Sequence, residues 1–240
     1  MPSPSIGLVR KSQQYYGNVC TLNGCNLPRM QGNKLCNHHK KVNLFRGAPD
    51  QHQIPRRDMN FAKKSVQLLI IDNQSNPSWG DLMTAIQDNW LLAQRAVNKE
   101  LQLSATGYAM NKYRRNGLKI CSAIFEGVGL EKAFITYCAF QWLQEWNSHQ
   151  FKTDISFRHL LVRALRSQAK DFNPSDLNKT TGKPVVYSAP LYMNERDCVW
   201  EVMSSIFGYT GIKLYEQVSK RAERLRKNKN AINLAIKNIQ

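Results

Sequence analysis

Cys20, Cys25, Cys36 and His39 are the residues of this chain whose types and spacing could do chemistry. They read C-x4-C-x10-C-x2-H, with a Gly- and Pro-containing loop between the two pairs. Thiolate and imidazole suit a tetrahedral Zn²⁺, and structural zinc sites use four protein ligands. The segment is too polar to build a core of its own, so a bound metal is what would let it fold. His38 is the alternative to His39, with its shorter Cys-x-His spacing against it. The three cysteines could instead be packing residues or redox thiols, although spacing of this kind points to zinc. Four protein ligands leave no open position for a substrate, so the expected role of one Zn²⁺ is structural.

The residues around these four are those a small metal module needs. Gly24 and Gly32 permit tight turns that bring amides towards cysteine sulfurs, and Pro28 stiffens the loop between them. The run from Asn37 to Arg46 reads as a short helix ending before Gly47. It would carry His39 inward and Lys40, Lys41 and Arg46 outward, with Val42 and Phe45 packing back on the module. With Gly24 before the second Cys, Pro28 behind it, Leu35 before the third and G-A-P from Gly47, the pattern resembles a small Cys3His zinc finger. That finger recurs at the N-termini of bacteriophage and mobile-element DNA-binding proteins, often beside HNH homing endonucleases. The resemblance covers Val19 to Pro49 and implies Cys20, Cys25, Cys36 and His39 as ligands and a nucleic-acid partner. The resemblance does not extend to the remaining residues.

An HNH nuclease needs a general-base His, usually after an Asp, and further metal-holding residues on the following helix. Asp50 with His52 is the nearest pair, but its spacing is wrong and no second ligand follows. His149 and His159 come far downstream without an acidic cluster. The run T-G-K-P at Thr181 to Pro184 lacks the upstream Gly of a phosphate loop and ends on Pro where Ser or Thr belongs. No G-x-S-x-G, H-E-x-x-H or paired Asp motif occurs. A metal-dependent nuclease is the weakest of the readings, and no enzymatic chemistry is expected.

Charge supplies the functional expectation. The formal net charge is +17, and its distribution matters more than its sum. Residues 1–64 hold eleven Lys/Arg against two Asp, residues 65–210 fifteen against thirteen acids, and residues 211–240 eight against two. Basic ends on a balanced middle suit a polyanion-binding surface. The cations expected to contact nucleic acid are Arg10 and Lys11 in an extended N-terminal arm, Lys40, Lys41 and Arg46 on the module, and Arg56 and Arg57 beyond it. Arg114 and Arg115 interleave with Tyr108 and Tyr113, as in stacking platforms, although tyrosines packed inside and solvated arginines would read the same. Arg163 and Arg166 lie on a helix whose outer face also carries Arg158 and Lys170, and Lys220, Arg221 and Arg224 form the basic tail. DNA is favoured over RNA as the partner.

The rest predicts a mainly α protein: a small N-terminal zinc module followed by a helical body of about six helices. Residues 1–50 make the arm and module, 51–75 a linker and lead-in, 76–210 the helical domain and 211–240 a basic C-terminal helix. Phe61 to Ile71 is a helix or strand. Ser78 with Asp81 resembles a capping arrangement for a helix through about Leu103, whose Leu82, Ile86, Trp90, Ala93, Val97 and Leu101 form one apolar face. A further helix spans Ser104 to Asn116, interrupted by Gly107, and Ile120 to Phe125 is short and apolar. Leu130 to Trp146, apolar nearly all round, is the expected central helix. Ser156 to Lys170 is helical, with His159 in the core or at its rim. Asp171 to Pro184 is a polar loop, and Val185 to Tyr187 a short extended piece. Asn194 caps a helix through Phe207 that Gly208 and Gly211 end, and the basic helix follows.

No run approaches the roughly 18 to 20 apolar residues of a membrane span. Met1 to Arg10 lacks the apolar stretch of a secretory signal, though its basic, acid-free composition leaves an organelle transit peptide open. Cys121, Cys138 and Cys198 sit singly in apolar surroundings and read as buried thiols, which fits a reducing, cytoplasmic or nucleoid-associated setting. The reading that results is a non-catalytic nucleic-acid-binding protein whose helical body could also engage a protein. The alternative is a structural or regulatory subunit of a larger assembly in which zinc only holds the fold.

Overall fold

A computed structural model describes residues 18–169 and 190–237. Arg10, Lys11, Lys170, the polar loop expected from Asp171 and the extended piece at Val185 lie outside the described residues. The chain is mainly α. Among the described residues there are seven α-helices: α1 (Asn37–Arg46), α2 (Arg56–Asn73), α3 (Pro77–Ala105), α4 (Lys112–Gly127), α5 (Leu130–Trp146), α6 (Asp154–Gln168) and α7 (Met193–Lys237). The first belongs to the N-terminal module and the other six form the body. No helix is long and apolar enough to cross a membrane among the described residues.

The axis of the body is α5. Every residue from Ala133 to Phe140 is buried, together with Trp142 and Leu143, so no side of the helix is left for solvent over two turns. A helix apolar all round is stable only when other helices cover it. Here α2, α6 and α7 do so, while α4 packs against α3 and α7. Aromatic rings fill the crossing. Phe207 lies 5.3 Å from Tyr137, 5.8 Å from Phe134 and 5.9 Å from Trp90, centroid to centroid, and Trp90 meets Phe125 edge-on at 4.7 Å. Burying each such ring is worth about 1.5–3 kcal/mol, so this knot fixes how α3, α4, α5 and α7 meet.

Helix boundaries follow capping chemistry, and several differ from the sequence expectation. The start of α3 is capped by Asn76, whose side chain accepts from the Ser78 amide, with Pro77 in the first turn; the Ser78 and Asp81 pairing is not used. The helix ends at Ala105, where Gly107 takes φ +98°, so Ser104 to Asn116 is not one helix. Asn111 caps a new one through the Tyr113 amide, and Ile120 to Phe125 lies inside it. In the stretch that reads as linker, Pro55 precedes the first turn of α2, so Arg56 and Arg57 are helical.

The largest correction concerns α7. Gly208 and Gly211 do not end it; the helix runs unbroken from Met193 to Lys237 and joins the expected basic helix to the body. Each glycine costs about 1 kcal/mol in a helix interior. Ile206, Phe207, Thr210 and Leu214, buried around the pair, offset that cost. The cap expected from Asn194 is replaced by the buried Glu195 carboxylate, which accepts from the Tyr192 amide at 3.1 Å and from Asn116 Nδ2 at 2.9 Å.

Gly117 allows the closest approach in the body. A Cβ there would stand 2.7 Å from Cys198 Cβ and 3.1 Å from the Glu195 carbonyl oxygen. Gly117→Ala is therefore expected to push α4 from α7 and destabilise the protein by about 1–3 kcal/mol, read as a lower denaturant midpoint, despite alanine's better helix propensity. An unchanged or raised midpoint would mean that the seam yields freely.

Candidate metal centre

Residues 18–47 contain two buried residues, Cys20 and Cys36. Among the described residues, no apolar core lies beneath this part of the chain. Its order comes from a small hydrogen-bonded frame and from what the cysteines can hold. Val19 bridges Pro28 and Arg29 bridges Cys36, both antiparallel. The Cys20 amide donates to the Leu27 carbonyl at 2.9 Å and the Cys25 amide to the Leu22 carbonyl at 3.1 Å, which folds Cys20 and Cys25 into one knuckle. Gly24, at φ +79°, makes that knuckle possible.

The four predicted ligands converge. Their ligand atoms all lie within 4.8 Å of one another, so the cluster could hold one metal ion. His39 Nδ1 sits 3.4 Å from both Cys20 Sγ and Cys36 Sγ, and Cys25 Sγ is 3.9 Å from Cys36 Sγ. The choice between His38 and His39 is thereby decided for His39. Cys36 also caps α1, its Sγ accepting from the His39 amide at 3.4 Å, so one residue both starts the helix and sets the histidine. Burial opposes ionisation of the Cys20 thiol, but backbone hydrogen bonds at Cys36 and Leu22 and the nearby His39 and Cys25 outweigh it and bring the thiol down to about 6. At Cys25 a backbone hydrogen bond at Leu27 favours the thiolate, yet burial and the two neighbouring thiols raise it overall. One sulfur in the cluster is thus ready to ionise and another waits for a cation.

The module is fastened to the body. Helix α1 packs on α6, and Arg163 of α6 donates to the Phe45 carbonyl at 2.6 Å with its guanidinium 5.0 Å above the Phe45 ring. Phe45 therefore packs on the body. Gly47 ends α1 at φ +81°, and a Cβ there would stand 2.9 Å from His159 Cβ and 3.0 Å from the Ile155 carbonyl oxygen. The stretch that follows is no loose tether. Gln51 is buried, its Nε2 donating to the Gln150 carbonyl at 2.7 Å and its Oε1 accepting from the Lys152 amide at 2.9 Å. Arg46 Nη1 donates to the Gln51 carbonyl at 3.0 Å, so this arginine is spent on the junction. A buried glutamine in a Pro-rich, polar stretch leaves no periodic signal, which is why sequence reasoning missed it.

The other predicted cations fall into groups. Lys40 and Lys41 are exposed on α1, and Arg56 and Arg57 are exposed at the start of α2, where Arg57 pairs with Asp58 at 3.3 Å. Arg114 forks onto both carboxylate oxygens of Glu100 at 2.9 and 3.0 Å, and Arg115 is half-buried. Arg163 and Arg166 are half-buried, not arrayed on an outer face. Lys220 is exposed on α7, while Arg221 and Arg224 lie on the same helix with side chains outside the described set.

No protein-family model matches this chain, and neither a curated protein nor a solved structure shows significant similarity to it.

Two outcomes follow from the geometry. Cys36→Ser and His39→Ala should each release the metal and disorder residues 18–46 while the body stays helical, whereas His38→Ala should retain it; metal stoichiometry with limited proteolysis measures this. Full metal retention in Cys36→Ser would refute the ligand set. The second concerns His159, buried beneath Gly47 with Nε2 unpaired. Burial, then Arg196, Arg163 and Arg166, push its imidazole down to about 4, against a backbone hydrogen bond at Phe45 that raises it. Between about 6.5 and 4 the unfolded chain binds a proton that the folded one refuses, so stability is present above 6.5 and lost as pH falls. His159→Phe should flatten the fall in unfolding midpoint across that window, and the difference between the two curves isolates the histidine from acid release of the metal.

Proposed function

We propose that this chain is a non-catalytic, zinc-containing nucleic-acid-binding protein of the phage and mobile-element kind that its finger resembles, with DNA the favoured partner. The observation that carries this reading is a charge pattern on a rigid mount: no carboxylate precedes Asp50, and Lys40 and Lys41 stand exposed on the helix that the metal ligand His39 anchors. Zn²⁺ is the ion that best suits the donors. Tetrahedral Zn²⁺ with ordinary bond lengths places sulfurs about 3.8 Å apart and sulfur about 3.6 Å from nitrogen. Here Cys25 and Cys36 Sγ are 3.9 Å apart, His39 Nδ1 is 3.4 Å from Cys20 and Cys36 Sγ, and all four ligand atoms lie within 4.8 Å of one another. When bound, the ion cross-links a segment that has no core. With three thiolates it carries about one negative charge, which the five cations of residues 18–47 outweigh.

The second group of cations lies on α7. Among the described side chains of that helix, Leu214 is the last in the buried core, and Lys220, Glu223 and Lys227 beyond it are exposed. An uninterrupted helix of 45 residues would be about 68 Å long, so its basic block can reach phosphates distant from the module. Exposed Phe61, Leu68 and Ile71 on α2, with Trp146 at the end of α5, favour a second reading in which this side of the body docks on a protein.

Binding measured by fluorescence anisotropy across salt separates the two. On the first reading affinity falls steeply with salt, and Lys40→Ala with Lys41→Ala lowers the slope of log K against log[salt] by about 0.9 for each lost phosphate contact on duplex DNA. Neutralising Lys220, Arg221 and Arg224 to Gln should lower it further. Substitution is preferable to removing residues 211–240, because Leu214 belongs to the core. Salt-insensitive or absent binding would discard the nucleic-acid reading.

A further inference from the structure

The finger has a face that the metal does not use. Asn18, Arg29, Met30, Gln31, Asn33 and Lys34 line a polar groove of about 470 Å³ beside the turn at Gly32. Its frame is tight. The Arg29 amide donates to the Asn18 carbonyl at 2.7 Å, and the Asn33 amide to the Met30 carbonyl at 2.9 Å. Arg29 also bridges Cys36, so one wall of the groove is tied directly to a metal ligand. Gly32, at φ +69°, would have nothing within 4 Å of an added Cβ, which leaves the mouth open.

The chemistry of the lining is specific. Two cations, three carboxamides and a thioether face a space with no carboxylate. Asn33 Oδ1 accepts from the Leu35 amide at 3.0 Å, which orients its NH₂ group and leaves both of its donors for a ligand. Asn18, Arg29, Gln31 and Lys34 are exposed. Guanidinium and ammonium groups recognise phosphate, and carboxamides match the donor and acceptor pairs on base edges. The volume lies within the roughly 300–1,000 Å³ of small-ligand sites. It suits one nucleotide and not a duplex, whose Watson–Crick edges are turned inward.

We propose that this groove takes one unpaired nucleotide of a single strand, with Arg29 and Lys34 on its phosphate and Asn18, Gln31 and Asn33 against its base edge. The proposal rests on the nucleic-acid reading above and adds a substrate class to it. Met30, half-buried, gives the base an apolar floor.

The test uses the full chain loaded with zinc, a short fluorescein-labelled single-stranded DNA and the same sequence annealed to its complement. Arg29→Gln with Lys34→Gln should weaken single-strand binding by about tenfold or more and lower its salt slope by about 0.7, the value for one phosphate contact on a single strand. Duplex affinity should stay within about twofold, because the phosphate surface on α1 and α7 is untouched. Gln31→Ala should level the affinities for oligo-dA, oligo-dC and oligo-dT, which a purely structural role would not do. One bound zinc per chain shows that each variant keeps its fold, and Lys34→Gln alone, at an exposed side chain, repeats the measurement with a smaller loss of single-strand affinity. Equal losses on single strand and duplex, or no loss on either, overturn the groove while nucleic-acid binding stands. Failure of the unsubstituted chain to bind either probe overturns the parent reading and the groove with it.

Discussion

Thirty residues with two buried side chains, both cysteines, cannot hold a shape by hydrophobic burial. What orders the N-terminal module is the convergence of three sulfurs and one imidazole nitrogen on a common centre. Everything the module presents depends on it. Cys36 is the pivot, because it is a ligand, the N-cap of α1 and the bridge partner of Arg29. Without the metal, deprotonating these thiols would set like charges side by side, and against a backbone hydrogen bond at Leu27, burial followed by the neighbouring sulfurs raises the Cys25 thiol. A cation reverses the sign of the interaction, so the repulsion that opposes folding becomes the attraction that drives it.

A second constraint turns the module into part of the body. Helix α1 is too short to be stable alone and presents a weakly apolar face. Its C-terminus is therefore secured from outside. Arg163 takes the Phe45 carbonyl, Arg46 takes the Gln51 carbonyl, and Gly47 lets the chain pass against α6 where any side chain would collide with His159. Positive groups at a helix C-terminus complement its dipole as well as satisfying its last carbonyls. Burial first, and then Arg196, Arg163 and Arg166, hold the His159 imidazole well below its ordinary value, so the junction sets cations beside a neutral histidine. Arginines that read as a phosphate-facing row are here the mortar between two parts of the fold.

Legibility followed the range of the interactions. The metal ligands, helix α1 with its Gly47 stop, and the apolar helix α5 are set by residues close in sequence, and their types and spacing could be read directly. The failures are tertiary. Gly208 and Gly211 look like a stop until Phe207 and Leu214 are seen buried on either side. Arg46 and Arg163 look solvated until α1 and α6 meet. The Gln51 network joins residues about a hundred positions apart, and nothing in a Pro-rich stretch announces it. Arg29 and Lys34 were overlooked because they flank a turn, where cations seldom form a pattern; only the fold shows them sharing a groove with three carboxamides.

Sorting the cations by what they touch changes what the net charge of +17 means. Arg46, Arg163 and Arg196 are at least half-buried and occupied by carbonyl oxygens or by Asp197, and Arg114 pairs with Glu100 on the surface. Arg29, Lys34, Lys40 and Lys41 on the module and Lys220 on α7 are exposed. They have no structural duty among the described contacts, and exposed like charges on a compact body cost stability through mutual repulsion. On the proposed nucleic-acid reading, a polyanion would relieve that repulsion, and its binding would grow stronger with each such charge. On the nucleic-acid reading the body then serves as a spacer: α6 fixes where the module's cations point, and the unbroken α7 carries the other group away from them.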